Sequence, residues 1–436
     1  MEEQVIEELP DVPPAVLLLV QEMASAYNDG LGVDYVAVRK RLKSMLRELR
    51  DQSEAHLATS MSSKIPKHPS HELDIHLHGG LDIFSERRRS CANISCRIKV
   101  ADQLSRSIGL IADRAWVTDH FSDRFIDFGR ATNEKLDDLM MDTLILLRVW
   151  PLIDAGILRF RPPCYPSCKS CLEHFEEQVA LIAEQVAAKF SGQFRVTNKP
   201  DGHYFIETGD CFEPPIWQHS IKSKKTPPTA KAYAENLIYD EVYSALWVGR
   251  DAVRRGGAIF SNSRVGLAGL LQQEGRFIGR KPLTLLDQER TVQVPWVSEL
   301  EPHQVVELRR AASRALPVFR EHMAKALSVD DDLGLGASKS AEVVQGLRIQ
   351  AAEVRAELQA AKNNSPKILR GAGSLLALGF SVYGIATDQP VAAMSGILNL
   401  INLLIAHSGH EKEAEKLASR PGYVLLKAQD ILDHAH

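Results

Sequence analysis

The stretch ELDIHLHGG at residues 72–80 places two histidines one residue apart, behind an acidic residue and ahead of a glycine pair. Alternate side chains of a β-strand point to the same face, so Asp74, His76 and His78 would lie together if this stretch is a strand. The glycine pair favours a turn directly after it. Two interpretations are open: the imidazoles bind a metal ion, or the stretch is a polar junction between loop and strand.

The spacing Asp-x-His-x-His at Asp74, His76 and His78 resembles the first metal-binding motif of the amidohydrolase superfamily. The resemblance implies zinc held by the two imidazoles, a metal-activated water, and a barrel of eight strands alternating with helices over about 250 residues. The sequence offers only about five or six short strand candidates after residue 72, which is too few for that barrel. These three residues are nevertheless the candidates for a catalytic site, and they are the basis for the hypothesis of a metal-dependent hydrolase.

A second cluster combines Cys164, Cys168, Cys171 and His174 in the stretch CYPSCKSCLEH, with the spacing C-x3-C-x2-C-x2-H. Three thiolates and one imidazole suit tetrahedral zinc. The intervening proline favours the tight turn that would let the ligands converge, and the last two lie three apart at the start of a helix. The sequence therefore predicts a structural zinc site, and the helix dipole is expected to lower the pKa of Cys171.

Two alternatives are open for the cysteine cluster. The cysteines could be reduced and unligated in a loop. The C-x3-C-x2-C spacing also resembles the iron–sulfur motif of the radical SAM family, which implies a cluster bound by the three thiolates. That family usually has an aromatic residue before the last cysteine, where this chain has Ser170, and the surrounding barrel is not evident from the sequence.

The composition of the 436-residue chain is ordinary for a globular protein, with 44% apolar and 25% charged residues. The formal net charge of −4 gives no general electrostatic reason to bind DNA or RNA, so no nucleic-acid partner is predicted. The acidic opening MEEQVIEELPDVPP is unlike a secretory signal. We therefore expect a cytoplasmic protein whose six cysteines are reduced or metal-bound rather than paired as disulfides.

Hydrophobic periodicity predicts an α+β, predominantly helical fold. Short strands are expected near the HxH stretch, within 108–121, after residue 157 and near 258, and a β-hairpin over 194–210. Long helices are expected between them, and Asn133 is the expected N-cap of one. We predict three domains: a mixed N-terminal domain (1–150), a middle α+β domain with the cysteine cluster (151–297) and a helical C-terminal domain (298–436).

Residues 371–407 form two apolar segments of about 16 residues around the turn TDQP, and neither segment contains a charge. A helix of that length spans about 24 Å, less than the roughly 30 Å of a bilayer core, which favours a buried hairpin in a helical bundle. Mildly basic flanks are compatible with membrane insertion instead. This stretch is the basis for a second hypothesis, a membrane-acting bacterial toxin or defence effector.

No phosphate-binding loop, dinucleotide fingerprint or nucleophile elbow occurs in the sequence. Acidic pairs such as Asp119 and Asp123 are interpreted as solvated surface carboxylates. Because no complete catalytic set is found, the first hypothesis is a non-catalytic cytosolic interaction or regulatory protein. Its C-terminal helices are expected to mediate self-association or binding to a protein partner.

Overall fold

A computed structural model describes residues 9, 11–28, 34–60, 74–85, 93–163, 167–198, 203–209, 219–222, 229–255, 257–261, 263–272, 283–284, 300–327, 345–346, 349–354, 356 and 416–434. Helices account for 74% of these residues, and a small parallel sheet accounts for most of the strands. The predicted α+β, predominantly helical class is confirmed. The C-terminal apolar stretch 371–407 and Cys164 lie outside the described residues.

The helices and strands alternate along most of the chain. Their bounds are α1 Pro14–Asn28, α2 Tyr35–Ser60, β1 Asp74–His78, α3 Ile94–Ile111, β2 Arg114–Thr118, α4 His120–Ile126, α5 Asn133–Asp154, β3 Leu158–Arg161, α6 Lys169–Phe190, β4 Arg195–Asn198, β5 His203–Glu207, β6 His219–Lys222, α7 Ala230–Arg255, β7 Ala258–Ser261, α8 Arg264–Leu271, β8 Leu283–Thr284, α9 Pro302–Ala311, α10 Leu316–Leu327 and α11 Gly422–His434.

Five parallel strands form the main sheet in the order β3-β2-β1-β7-β8. The chain moves outward from β1 to β3 and then returns to the other side of β1 with β7. The direction of the crossovers therefore reverses between β1 and β7, and open parallel sheets bind ligands beyond the carboxyl ends of their strands at such a point. The strands predicted at β1, β2, β3 and β7 are confirmed, and β8 was not predicted. The parallel assembly of the strands is not evident from strand patterns alone.

Strand β1 lies at the centre of this sheet and is buried along its whole length. Ile75 and Leu77 point to one face, and His76 and His78 point to the other, which helix α7 covers. Central parallel strands are buried on both faces, which normally requires apolar residues throughout. The two histidines are exceptions, and their polar atoms need partners inside the protein.

Helices α6 and α7 pack against each other beside the sheet and enclose an apolar core. Phe175, Val179 and Phe190 of α6 meet Ile238 and Leu246 of α7 in this core. The apolar residues recur every three or four positions on each helix, so one stripe of each faces the other. This packing fixes α7 over β1 and β7, where its buried carboxylates meet the histidines of β1.

A second, antiparallel sheet contains β4, β5 and β6. Its first two strands confirm the hairpin predicted over 194–210. The N-cap predicted at Asn133 is wrong by one residue, because the hydroxyl of Thr132 accepts the hydrogen bond from the backbone N–H of Lys135. Threonine caps a helix by the same chemistry as asparagine, so sequence alone does not separate neighbouring candidates.

The chain divides into two compact units. Unit 1 comprises residues 1–104, 112–287 and 328–334, and it contains both sheets. Unit 2 comprises residues 105–111, 288–327 and 335–436, and all of its described elements are helical. The domain boundaries predicted from sequence stay a prediction; the one at residue 150 falls within α5, and the main sheet takes strands from both sides of it.

Candidate functional site

His76 belongs to a buried charge network between β1 and α7. Its Nδ1 lies 3.1 Å from Oδ2 of Asp251, and both side chains are almost completely excluded from solvent. The guanidinium of Arg255 donates to the other oxygen of Asp251 at 3.3 Å and lies 4.2 Å above the ring of Trp116. The imidazole of His76 stacks on the same ring, with 6.0 Å between centroids.

The charges in this network follow from burial and pairing. Burial lowers the pKa of His76, and this effect exceeds the opposing hydrogen bond to Asp251, so the imidazole is neutral. Burial alone would raise the pKa of Asp251, but its contact with His76 and the charges of Arg255 and Arg161 hold it well below its usual range. The network therefore contains one buried ion pair, Asp251 with Arg255, and one neutral ring.

His78 lies two residues further along β1, on the same face of the strand as His76. Its Nδ1 is 2.9 Å from Oγ of Ser261, and its Nε2 is 3.8 Å from Oε1 of Glu241. The Ser261 oxygen also accepts the backbone N–H of Ser263, so its own proton is available to donate to Nδ1. If Ser261 donates to Nδ1, the ring proton of His78 lies on Nε2, on the side of the Glu241 carboxylate.

Asp74, the first residue of the Asp-x-His-x-His motif, accepts a hydrogen bond from Nε of Arg114 at 2.7 Å. It begins β1, whereas His78 ends the strand at the opposite edge of the sheet. Among the described residues, no group of three or more His, Cys, Asp or Glu side chains is arranged to hold a metal ion. A catalytic metal at Asp74, His76 and His78 stays a prediction.

A different polar cluster, the edge cluster, lies where β1, β2 and β3 end. It comprises Asp82, Asp119, His120, Arg161 and, from α2, His56. Because the three strands are parallel and adjacent, the residues that follow them meet at one edge of the sheet. The left-handed backbone at Gly79, with φ of +72°, begins the short turn that leads from β1 to the first carboxylate.

Asp82 uses one of its two carboxylate oxygens for all its described contacts. Nε2 of His120 and the backbone N–H of Thr118 each lie 3.3 Å from Oδ2, and Nη2 of Arg161 lies 3.7 Å from the same atom. The other oxygen, Oδ1, is buried and accepts no hydrogen bond from the part of the chain that the structure describes. A buried acceptor of this kind is costly unless something else satisfies it.

Arg161 links the ends of three strands. Its guanidinium donates to the carbonyl of Leu77 at 2.8 Å, to the carbonyl of Trp116 at 3.1 Å and to the hydroxyl of Thr118 at 2.9 Å. These bonds fix its position, so its charge acts on Asp82 as part of the scaffold. Burial alone would raise the pKa of Asp82, but the charges of His120 and Arg161 and its hydrogen bonds hold that pKa below its ordinary value.

Asp119 is fully buried at the start of α4, so its interpretation as a solvated surface carboxylate is wrong. Its Oδ1 accepts the backbone N–H of Ser122 at 3.0 Å and caps the helix. Its Oδ2 lies 3.9 Å from Nε2 of His56 and accepts no hydrogen bond within the described ranges. Burial raises the pKa of Asp119, against the opposing effects of the cap and of His56 and His120.

Solvent reaches two members of the edge cluster, His120 and His56, which have 29% and 25% of their side chains exposed. Burial pulls the pKa of His120 down, but the charge of Asp82 and the hydrogen bond to it outweigh that effect and raise the pKa above the ordinary histidine value. The raised pKa increases the fraction of His120 that is positively charged near neutral pH, and the protonated ring is a hydrogen-bond donor.

Two other carboxylates are bound by arginine on both of their oxygens. Buried Asp142 on α5 binds the guanidinium groups of Arg97 and Arg124, one on each oxygen. Arg148 donates to both oxygens of Asp102, at 2.7 and 3.0 Å. The unused oxygens of Asp82 and Asp119 distinguish the edge cluster from these two ion pairs.

The predicted zinc ligands lie around the start of α6. Cys168 is the N-cap residue, Cys171 lies in the first turn, and both thiols are exposed. Nε2 of His174 lies 3.0 Å from the side-chain nitrogen of Gln178. Because Cys164 lies outside the described residues, the zinc site stays a prediction.

The expected effect on the thiol of Cys171 is wrong in direction. The pKa of Cys168 is lowered to about 7 by its interaction with Cys171 and by the hydroxyl of Ser170, whose oxygen lies 3.7 Å from its sulfur. The pKa of Cys171 is raised, because its thiol is the donor to Cys168. The N-cap residue, not the first-turn residue, faces the donors at the helix start.

The edge cluster was not predicted as a site from the sequence. Polar residues directly after buried strands, such as Asp119 and His120, could have indicated it. That pattern identifies a site only when the strands are known to be parallel neighbours. The apolar stretch 371–407, predicted to be a buried hairpin with membrane insertion as the alternative, lies outside the described ranges. Within them no helix is long and apolar enough to cross a membrane. No protein-family model, no curated protein and no solved structure matches this chain.

Proposed function

We propose that this chain is a regulatory protein that binds a small polar molecule at the edge cluster. One observation carries the proposal: the buried carboxylate of Asp82 holds His120 with one oxygen and offers the other to no described donor. A ligand that donates a hydrogen bond to this oxygen would satisfy it. The position beyond the carboxyl ends of parallel strands supports the same conclusion.

The chemistry of the edge cluster selects the class of ligand. The unused oxygens of Asp82 and Asp119 are acceptors, so the ligand must supply N–H or O–H donors. Charged His120 can donate to an oxygen of the same molecule. A hydroxyl- or amine-bearing molecule, such as a sugar, a nucleoside or a polyamine, meets these requirements better than an apolar one or a simple anion.

A thermal-shift screen of the full chain tests this proposal. Monosaccharides, nucleosides, amino acids and polyamines are added at millimolar concentration to wild type, Asp82→Asn, His120→Gln and the control Asp123→Asn. Asp123 is an exposed carboxylate on the same helix as His120. A compound at about one hundred times its Kd stabilises the folded state by about 2.7 kcal/mol.

We expect at least one compound to raise Tm in wild type and in Asp123→Asn but not in Asp82→Asn or His120→Gln. Compounds that stabilise all four proteins equally would bind elsewhere and contradict the proposal. A screen in which no compound raises the Tm of the wild type would contradict it as well.

Acid–base catalysis at the edge cluster is a second candidate, favoured by the contact between Asp82 and half-exposed His120. A carboxylate that orients an imidazole and raises its pKa produces a proton donor suited to neutral pH. Turnover of a compound found in the screen, lost in His120→Gln with binding retained, would favour an enzyme over a binding protein.

Insertion of residues 371–407 into lipid remains a proposal on the strength of their two charge-free segments. It predicts that the full chain releases dye from liposomes and that Gly379→Glu, which places a charge in the first segment, does not. Equal leakage by both proteins would contradict the proposal.

A further inference from the structure

Cys168 and Cys171 form a C-x2-C pair at the start of α6. Cys168 is the N-cap residue and Cys171 is the third residue of the helix. Residues three apart in a helical turn lie on the same face of the helix. The two thiols therefore lie near each other, and the interaction with Cys171 lowers the pKa of Cys168.

Both sulfur atoms are open to reagents from solvent, since both residues are exposed and neither is in a disulfide. The neighbouring helix α7 contributes Arg250, whose charge acts on Cys171. The guanidinium lies 4.8 Å from the centroid of the Phe175 ring and 5.4 Å from that of Trp247, so two aromatic rings hold the cation in place. Nearby fixed positive charge and a helix N-terminus both favour the thiolates that take part in disulfide exchange.

We propose that Cys168 and Cys171 are a redox-active dithiol that exchanges with small-molecule disulfides. The thiolate of Cys168 attacks one sulfur of the disulfide, forms a mixed disulfide and releases one thiolate. Cys171 gives up its proton and attacks the sulfur of Cys168, which closes the intramolecular disulfide and releases the second thiol. Two protein thiols are oxidised by two electrons, and one small-molecule disulfide is reduced to two thiols.

The position of the pair in the fold supports exchange. Within unit 1 it follows β3 and opens a 22-residue helix, the arrangement in which C-x2-C pairs in cytosolic proteins act as redox motifs. Residues three apart in a helical turn are close enough for a disulfide with little rearrangement. Because the pair lies on the surface, closing the bond leaves the apolar core between α6 and α7 undisturbed.

The test equilibrates the purified full chain in buffers of reduced and oxidised glutathione at graded ratios. The reaction is quenched with acid, remaining thiols are alkylated, and peptides are identified by mass spectrometry. The variants are Cys168→Ser, Cys171→Ser and Cys96→Ser, the last a matched control that removes an exposed cysteine on α3. Zinc in the same preparation is measured by elemental mass spectrometry.

We expect alkylation of Cys168 and Cys171 to be lost together at one glutathione ratio in wild type and in Cys96→Ser. In Cys171→Ser the second step is impossible, so glutathione remains attached to Cys168. Independent glutathione adducts on both cysteines of the wild type, without the internal disulfide, would overturn the proposal. So would stoichiometric zinc that is lost in the two cysteine variants and protects both thiols, since that result would establish the structural zinc site.

Discussion

At the scale of single residues, the two buried histidines of β1 lie beside polar side chains from distant parts of the chain. His76 lies against Asp251, and His78 lies between Ser261 and Glu241. A neutral imidazole can donate at one nitrogen and accept at the other, so a carboxylate and a hydroxyl can complete its bonding without an ion. Sequence spacing predicted the shared face of the two rings correctly but could not reveal what covers that face.

The ion pair between Asp251 and Arg255 is expected to be essential for stability. Asp251→Asn removes the carboxylate charge beside the buried guanidinium of Arg255, and breaking a buried pair in this way costs about 3–5 kcal/mol. Chemical denaturation monitored by circular dichroism measures the free energy of unfolding. Asp240→Asn, at an exposed position of the same helix, should change it by less than about 0.5 kcal/mol. Equal values for the two variants would show that the pair contributes nothing.

One of the two unused carboxylate oxygens of the edge cluster is Oδ2 of Asp119. Asp119→Asn keeps the helix cap, because asparagine and aspartate cap equally well, but removes a buried carboxylate. Burial raises the pKa of Asp119, so its ionised form opposes folding above its unfolded pKa. We expect Asp119→Asn to leave the unfolding free energy unchanged or raise it by about 1 kcal/mol. A loss of more than about 1 kcal/mol would assign Asp119 to the fold rather than to a ligand.

At the scale of elements, the fold depends on how closely helices approach the central strand. Helix α8 begins at Ser263, whose hydroxyl accepts the backbone N–H of Gly266. A Cβ atom at Gly266 would lie 2.6 Å from Cε1 of His78. Glycine is thus required at this position for the contact between α8 and β1, independently of any need for special backbone angles.

Gly266→Ala tests this close approach. The new methyl group must push against a buried imidazole that its own partners hold in place, and overpacking of this kind typically costs about 1–3 kcal/mol. Gly192→Ala is the matched control, since a Cβ there meets nothing within 4 Å. The difference between the two variants in urea midpoint measures the effect; identical midpoints would mean that α8 shifts freely away from β1.

At the scale of the whole molecule, two histidines should shape the dependence of stability on pH in opposite directions. Burial lowers the folded pKa of His76, so its contribution is present above the unfolded value of about 6.5 and is lost as pH falls below it. The folded pKa of His120 is raised, so its contribution is complete below about 6.5 and is lost as pH rises through the raised pKa.

The resulting prediction is a stability maximum near neutral pH with an alkaline decline that depends on His120. His120→Gln should flatten that decline and leave the loss of stability below about pH 6.5 that comes from His76. Unfolding free energies at closely spaced pH values measure both limbs. An alkaline decline of the same size in His120→Gln and in wild type would assign it to other groups.

The sequence by itself determined the fold class and many of the elements of this protein, although not β6 or β8. The helical class, the strands at the HxH stretch, near 114, 158 and 258, and the hairpin with β4 and β5 follow from periodicity and turn residues, which act within about ten neighbouring residues. Only the tertiary structure decided the contacts that form the edge cluster. Asp82, Asp119 and Arg161 meet because three strands align in parallel. The pattern of residues within each strand does not encode the order of the strands in the sheet. The partners of His76 were decided in the same way, because Asp251 lies far along the chain on a helix whose apolar stripe, packed against α6, places it over β1.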